Sequence, residues 1–394
     1  MENGNQFLVT QKSQKTTRHR SRRVGCHAAA KLIAAHVISL LAFCALAAEP
    51  IRDQTDTRSG LLPTPSEGVS SGVLKRSDTP FSPRARESAS RWQTPFEAFL
   101  SNRIVWTYAG PSIIPQAAQK SIPVQCAFEF WVPETQLEKE QMVCTNPRGG
   151  YGGFKTDATQ AAGVYRRPDI NSPAWRAYQL KSVQRLVTAG CMSFQQDVAW
   201  LNVHMLQADG CYSEASMSGF RDYLRRILSP AELASLGIRD VETFDHRTNQ
   251  LPALKGQFAD FQREATAQYH SWLHTEANNF AKRKLVFSGN IPLQQLRGGA
   301  SVWLKPHFDF ILSEMRASRT DMPNSLRAMG RLAGQFAGTP AVTFVTDDIW
   351  LNQRAIASTY ALGMVAVAPW DIYIAPAASR FFGNPTDFSP LFFK

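Results

Sequence analysis

Apolar residues in this chain fall into short unbroken runs, separated by longer stretches where they recur every three or four positions. Arg103-Ile104-Val105-Trp106-Thr107-Tyr108 and Cys126-Ala127-Phe128-Glu129-Phe130-Trp131 are runs of the first kind. Their shortness and their β-branched and aromatic content predict strands. Ser172 then stands as a helix N-cap with Pro173 at the first helical position. Trp175, Tyr178, Val183, Leu186 and Val187 make the apolar stripe of that helix, and Gly190 closes it. Cys191-Met192-Ser193-Phe194 follows as a buried strand ending in Gln195-Gln196-Asp197. A second helix carries Met217, Phe220, Leu224 and Ile227 on one face, and a third, over residues 257–283, carries Phe258, Phe261, Ala265, Trp272, Leu273 and Phe280. The strand Leu285-Val286-Phe287 leads to Ser288-Gly289-Asn290, and Phe308-Asp309-Phe310-Ile311-Leu312 leads to Ser313-Glu314. After a helix ending near Gly338, Val342-Thr343-Phe344-Val345-Thr346 runs to Asp347-Asp348. After a helix ending at Gly363, Met364-Val365-Ala366-Val367-Ala368 runs to Pro369-Trp370-Asp371.

Strand and helix alternating over about 300 residues predict an α/β protein with a parallel sheet. The strand runs are continuous rather than alternating, as strands covered on both faces should be. Seven or eight such units favour a (β/α)8 TIM barrel over an open doubly wound sheet. The tail beyond Asp371 leaves room for only a short or incomplete last helix, unless the chain is part of a longer one. No G-x-G-x-x-G follows the first strand. Gly149-Gly150-Tyr151-Gly152-Gly153 lacks the strand–helix setting of a phosphate loop.

Composition divides the chain into three. The formal charge is +11, but residues 1–47 hold Lys12, Lys15, Arg18, Arg20, Arg22, Arg23 and Lys31 against Glu2 alone, so over half the surplus lies there. A basic segment, an apolar stretch and the small-residue end Ala45-Leu46-Ala47 read as a signal peptide over 1–47. The protein is then secreted or periplasmic, with membrane contact only if the leader stays uncleaved. Residues 48–91, rich in Ser, Pro and Thr, read as a flexible linker. Within it, Gly68-Val69-Ser70-Ser71-Gly72 matches the serine-hydrolase elbow only in letters, because no strand precedes it. Residues 92–394 are the barrel. Cys126, Cys144, Cys191 and Cys211 lie in it, enough for two disulfides in three connectivities.

Barrel enzymes work at the C-terminal ends of their strands. The residues there are acidic, amidic and aromatic: Asp197, Asn290, Glu314, Asp347, Asp348, Trp370 and Asp371. Two carboxylates facing each other across a cleft are what glycosidic hydrolysis requires, and aromatic rings suit the apolar faces of sugars. A polar residue at a strand end is as often only a cap or a solvated loop residue.

Asn171-Ser172-Pro173-Ala174-Trp175-Arg176, the run from Thr188 through Gly190, Cys191 and Phe194 to Asp197, and Cys211-Tyr212 before a helix with Phe220 and Tyr223-Leu224 resemble glycoside-hydrolase barrels of the family 42 β-galactosidase kind. The tail Ala368-Pro369-Trp370-Asp371-Ile372-Tyr373 with Arg380-Phe381-Phe382-Gly383 resembles secreted bacterial barrels of the same broad class. The resemblance implies an acid/base carboxylate at the end of the fourth strand and a nucleophile at the end of the seventh. Family 42 has Asn-Glu at the first place, where this chain has Gln196-Asp197, and Glu at the second, where it has Asp347-Asp348. That makes Asp197 the acid/base candidate, with Glu314, one strand earlier than the likeness implies by this count, as partner and Asp347 as rival. Gln196, Asn290, Asp348, Trp370 and Asp371 would contact substrate.

Other signals lead elsewhere. His270 and His274 have metal-ligand spacing but lack the Glu of H-E-x-x-H, and the cysteines form no C-x-x-C, so neither cofactor nor metal is expected. Lys282-Arg283-Lys284 is a helix-end basic run without interleaved exposed aromatics, which argues against nucleic acid as a partner. A hydrolase of a poly- or oligosaccharide leads. A catalytically silent glycan-binding barrel is the alternative, and the sugar, the linkage, the stereochemistry and the oligomeric state stay open.

Overall fold

A computed structural model of the chain describes residues 72–83, 92–128, 132–133, 140–150, 165–207, 210–316, 321–345 and 349–369. The chain divides into a unit of residues 1–68 and a unit of residues 69–394, and every described residue belongs to the second. The leader, most of the linker, and Asp347, Asp348, Trp370 and Asp371 lie outside the described residues.

Eight parallel strands form the barrel: β1 Pro80–Ser82, β2 Arg103–Thr107, β3 Val124–Phe128, β4 Ser193–Gln196, β5 Val286–Gly289, β6 Phe310–Arg316, β7 Ala341–Val345, and β8 in two pieces, Val365–Ala366 and Ala368–Pro369. Each strand pairs with the next in sequence. The first piece of β8 pairs with β7 and the second with β1, which closes the ring. The (β/α)8 expectation is met, with one boundary corrected. Pro80–Ser82 falls inside the stretch that composition assigns to a linker. A strand of three residues among Ser, Thr and Pro carries no periodicity, and only pairing on both sides, to β2 and to β8, makes it one.

The helices follow from their stripes. α1 is Gln93–Ala98, α2 Gly110–Gln119 and α3 Pro173–Thr188. In α3 the Ser172 hydroxyl accepts from Trp175 N at 3.3 Å, a cap contributing about 1 kcal/mol. Trp175, Val183, Leu186 and Val187 turn inward onto the sheet. Between β4 and β5 the chain makes α4 Leu201–Met205, α5 Glu214–Ile227, α6 Pro230–Ser235 and the long α7 Lys255–Ala281. Phe258, Phe261, Ala265 and Leu273 of α7 are buried, while Phe280 is exposed because the last turn runs past the core. α8 Met322–Ala333 and α9 Ile349–Ala361 complete the ring. Among the described residues no helix is long and apolar enough to cross a membrane.

Period-two alternation decides which strand residues fill the barrel. Phe194 and Phe287 face the helices and stack at 5.6 Å. Gln125, Ser193, Gln195 and Ser288 face inward, as bonds between strands that are not neighbours show. Gln125 of β3 donates to Ser288 of β5 at 2.9 Å, and Gln195 of β4 donates to the Leu312 carbonyl of β6 at 3.3 Å. Val105, Ala127, Phe310, Leu312, Ala341, Val365 and Val367 pack the other side of the interior.

Candidate active site

Two positions above this polar layer, the same alternation brings Asp197, Asn290 and Glu314 together at the C-terminal mouth. Gln195 is followed on its face by Asp197, Ser288 by Asn290, and Leu312 by Glu314. The Asn290 amide joins them. Its Nδ2 donates to Asp197 Oδ1 at 2.8 Å and to Glu314 Oε2 at 3.4 Å. Asn290 is itself pinned to β4, its N–H donating to the Gln196 carbonyl at 2.9 Å and its own carbonyl accepting from Ala199 N at 3.1 Å.

Asp197 also accepts from the backbone N–H of Val198 at 2.8 Å and, on Oδ2, from the Tyr108 hydroxyl at 2.8 Å. The Tyr108 oxygen in turn accepts from Trp106 Nε1 at 3.2 Å, which commits its proton toward Asp197. Three donors converge on this carboxylate, on both of its oxygens. Gln196 donates to the Asp197 backbone carbonyl at 2.8 Å rather than to the carboxylate.

The backbone around the pair is strained. Trp106, Val198 and Leu201 have φ of 49°, 47° and 43°, and they are three of the six non-glycine residues with positive φ among those described. A β-branched valine in that region costs on the order of 1–3 kcal/mol, which other contacts must offset. At Trp106 the β2–β3 register shifts, so the end of β2 delivers Tyr108 to the mouth. At Val198 the twist returns the N–H to the Asp197 side chain.

The interior leaves acceptors unmatched at this level. Among the described residues, Gln196 Oε1 and Asn290 Oδ1, on residues 1% and 4% exposed, have no hydrogen-bond donor. Neither does the hydroxyl of Thr343, the register partner of Glu314. Buried acceptors without donors cost on the order of 1–3 kcal/mol each until something donates to them.

Of the residues predicted from the sequence, Asp197, Gln196, Asn290 and Glu314 therefore meet at one site. Asp347, Asp348, Trp370 and Asp371 lie outside the described residues. Tyr108, Trp106 and Thr343 were not anticipated. Tyr108 was legible as the last residue of a predicted strand, but the bulge that aims it is invisible in the spacing.

The remaining predicted chemistry sorts as follows. Cys144 and Cys211 form a disulfide that ties the loop after β3 to the loop after α4. Their sulfurs lie with the buried Asp169 carboxylate, which is filled by Asn202, Ser213 and Ser216 donors, so the one three-residue metal-ligand grouping among the described residues has no free thiolate. Cys126 and Cys191 are buried thiols. The neighbouring Cys191 and burial push the Cys126 thiol well above its ordinary range. His270 serves structure: Nε2 meets the Ala199 carbonyl at 2.7 Å, under the loop that leaves Asp197. His274 stacks on Phe287 at 3.6 Å. Burial pushes His270 down to about 3 and His274 well below the usual imidazole range.

No protein-family model matches the chain. The α-agarase of Thalassotalea agarivorans is 25% identical over 193 residues, which cover 48% of this chain and 12% of that enzyme. The chain thus matches only a small part of its curated relative. Among solved structures, an exo-β-agarase superposes with a TM-score of 0.47 at 10% identity, covering 72% of this chain and 41% of that one. The glycoside hydrolase domain of PelA from Pseudomonas aeruginosa gives 0.38 at 12% identity, covering 74% and 94%. These proteins are glycoside hydrolases.

Proposed function

We propose that this chain carries a glycoside hydrolase barrel that cleaves a poly- or oligosaccharide with Asp197 and Glu314. The observation that carries this reading is the Asn290 amide shared by the two carboxylates at the barrel mouth. Oxygens reached from one nitrogen at 2.8 and 3.4 Å are no more than about 6 Å apart, closer together than the pair of an inverting enzyme. The unmatched oxygens of Gln196, Asn290 and Thr343 are suited to sugar hydroxyls, which bring donors.

The hydrogen bonds favour particular roles. Asp197 accepts from three donors and is held as an acceptor, which suits the nucleophile. With Asp197 held as the acceptor, Glu314 is the group of the pair left to carry a proton to the leaving oxygen and then take one from water. This reverses the assignment that the family 42 likeness implies for Asp197. That likeness rests on the segments around Asn171, Thr188 and Cys211, and it places the nucleophile on β7, beyond the described residues. The leader-like residues 1–47 and the Cys144–Cys211 bond both fit export to an oxidising compartment.

Reducing-end release by the full chain over a panel of polysaccharides tests the reading. Wild type should release ends from at least one glycan, and Asp197→Asn should lose about 10³-fold or more. A folded protein that releases none, or an Asp197→Asn variant as fast as wild type, overturns it.

A further inference from the structure

A cleft of ≈ 850 Å³ opens between the loop after Cys144, the loop after α4 and the first turn of α7. We propose that it binds an acidic sugar, one bearing a carboxylate or sulfate, of the same glycan chain. This rests on the reading of the protein as a glycoside hydrolase.

The charge pattern carries the inference. Arg148 and Lys255 both line it and are exposed, and neither takes part in an ion pair among the described residues. Along the segments from α5 to α7, Arg221 pairs with Glu214, Arg225 with Asp222, Arg226 with Glu264, Arg247 with Asp245 and Arg263 with Asp260, whereas the exposed Arg239 has no ion pair among the described residues. No carboxylate is among the described residues lining the cleft, and α7 has no acidic residue in its first turn beside Lys255. Two cations facing one cavity without a counter-charge leave a positive potential that an anion relieves.

The rest of the lining is built for a sugar ring. Tyr212 and Phe258 stack at 5.0 Å and 16° to make an aromatic wall. Asn146 and Gln250 add uncharged amides. Burial pushes the His246 imidazole down, so it adds no third cation at neutral pH. The cleft is also fixed in place. Asn146 Oδ1 accepts from Arg148 N at 2.9 Å and Gly150 N at 3.1 Å, and the Cys144–Cys211 bond ties this loop to Tyr212. The volume lies within the usual range of ligand pockets.

Affinity electrophoresis of the full chain tests this in gels holding polygalacturonate or its methyl ester, and a sulfated galactan or its desulfated form. Retention should be stronger in an acidic gel than in its neutral counterpart. Arg148→Gln/Lys255→Gln should weaken it by about tenfold. The charge-matched Lys282→Gln/Arg283→Gln should not. Equal retention within both pairs, equal loss in the control variant, or the same Arg148- and Lys255-dependent retention on single-stranded DNA would overturn the proposal. Hydrolysis is read separately on wild type. Charge-dependent retention without hydrolysis supports the site and contradicts the enzyme reading, whereas hydrolysis without it does the reverse.

Discussion

Asn290 holds more of the site together than any other side chain described, because one amide group orients both carboxylates while its backbone is clamped to β4. Asn290→Ala leaves Asp197 its Tyr108 and Val198 donors but removes the amide that links Asp197 to Glu314. Misplacement by about 1 Å costs on the order of 10²-fold. The expected outcome is a kcat lower by about that factor with KM little changed, measured on the best substrate of the panel. A variant whose kcat equals wild type would mean that the shared amide positions nothing. Asn290 was legible from the sequence because it follows a clear strand, Leu285-Val286-Phe287, by a few residues. Its partnership with Glu314 was not, since which strand ends lean together depends on barrel stagger.

At the scale of elements, the loops and α7 determine how firmly the mouth is supported. The Cys144–Cys211 bond closes a span of 67 residues. Replacing both cysteines by alanine should lower stability by about 4 kcal/mol in denaturant titration, and an unchanged midpoint would contradict it. α7 adds a pH dependence through His270 and His274. Their folded-state values are lowered by burial, so an unfolded chain takes up protons below pH 6.5 that the folded chain refuses; for His270 that refusal extends to about 3. Their contribution is present above pH 6.5 and is lost as pH falls. The urea midpoint should drop between pH 7.5 and pH 5, above the carboxylate range, and His270→Gln should drop less. An equal drop in both would remove His270 from the account. The pair's i, i+4 spacing was visible in sequence. Only packing against Phe287 and Ala199 shows why they are core groups. The short strand β1 was the least legible element, because three residues leave no pattern and its identity comes from the neighbours it bridges.

For the molecule as a whole, the alternation of apolar runs and amphipathic stretches carried most of the fold. A closed parallel barrel is the arrangement in which eight doubly covered strands have no free edge. It also placed the site, since inward positions two residues above a polar layer, Gln195 and Ser288, become Asp197 and Asn290 at the mouth. What spacing did not contain is the strain at Trp106, Val198 and Leu201, which runs against local propensity and is set only by the assembled barrel. On the proposed reading Asp197 attacks and Glu314 moves the proton. Azide rescue of Asp197→Ala, beside Glu314→Ala, tests it most directly. Azide should restore turnover to Asp197→Ala and yield a glycosyl azide of inverted anomeric configuration, while Glu314→Ala should yield the retained configuration. The opposite pattern, or Asp197→Ala turning over at the wild-type rate without azide, would contradict it.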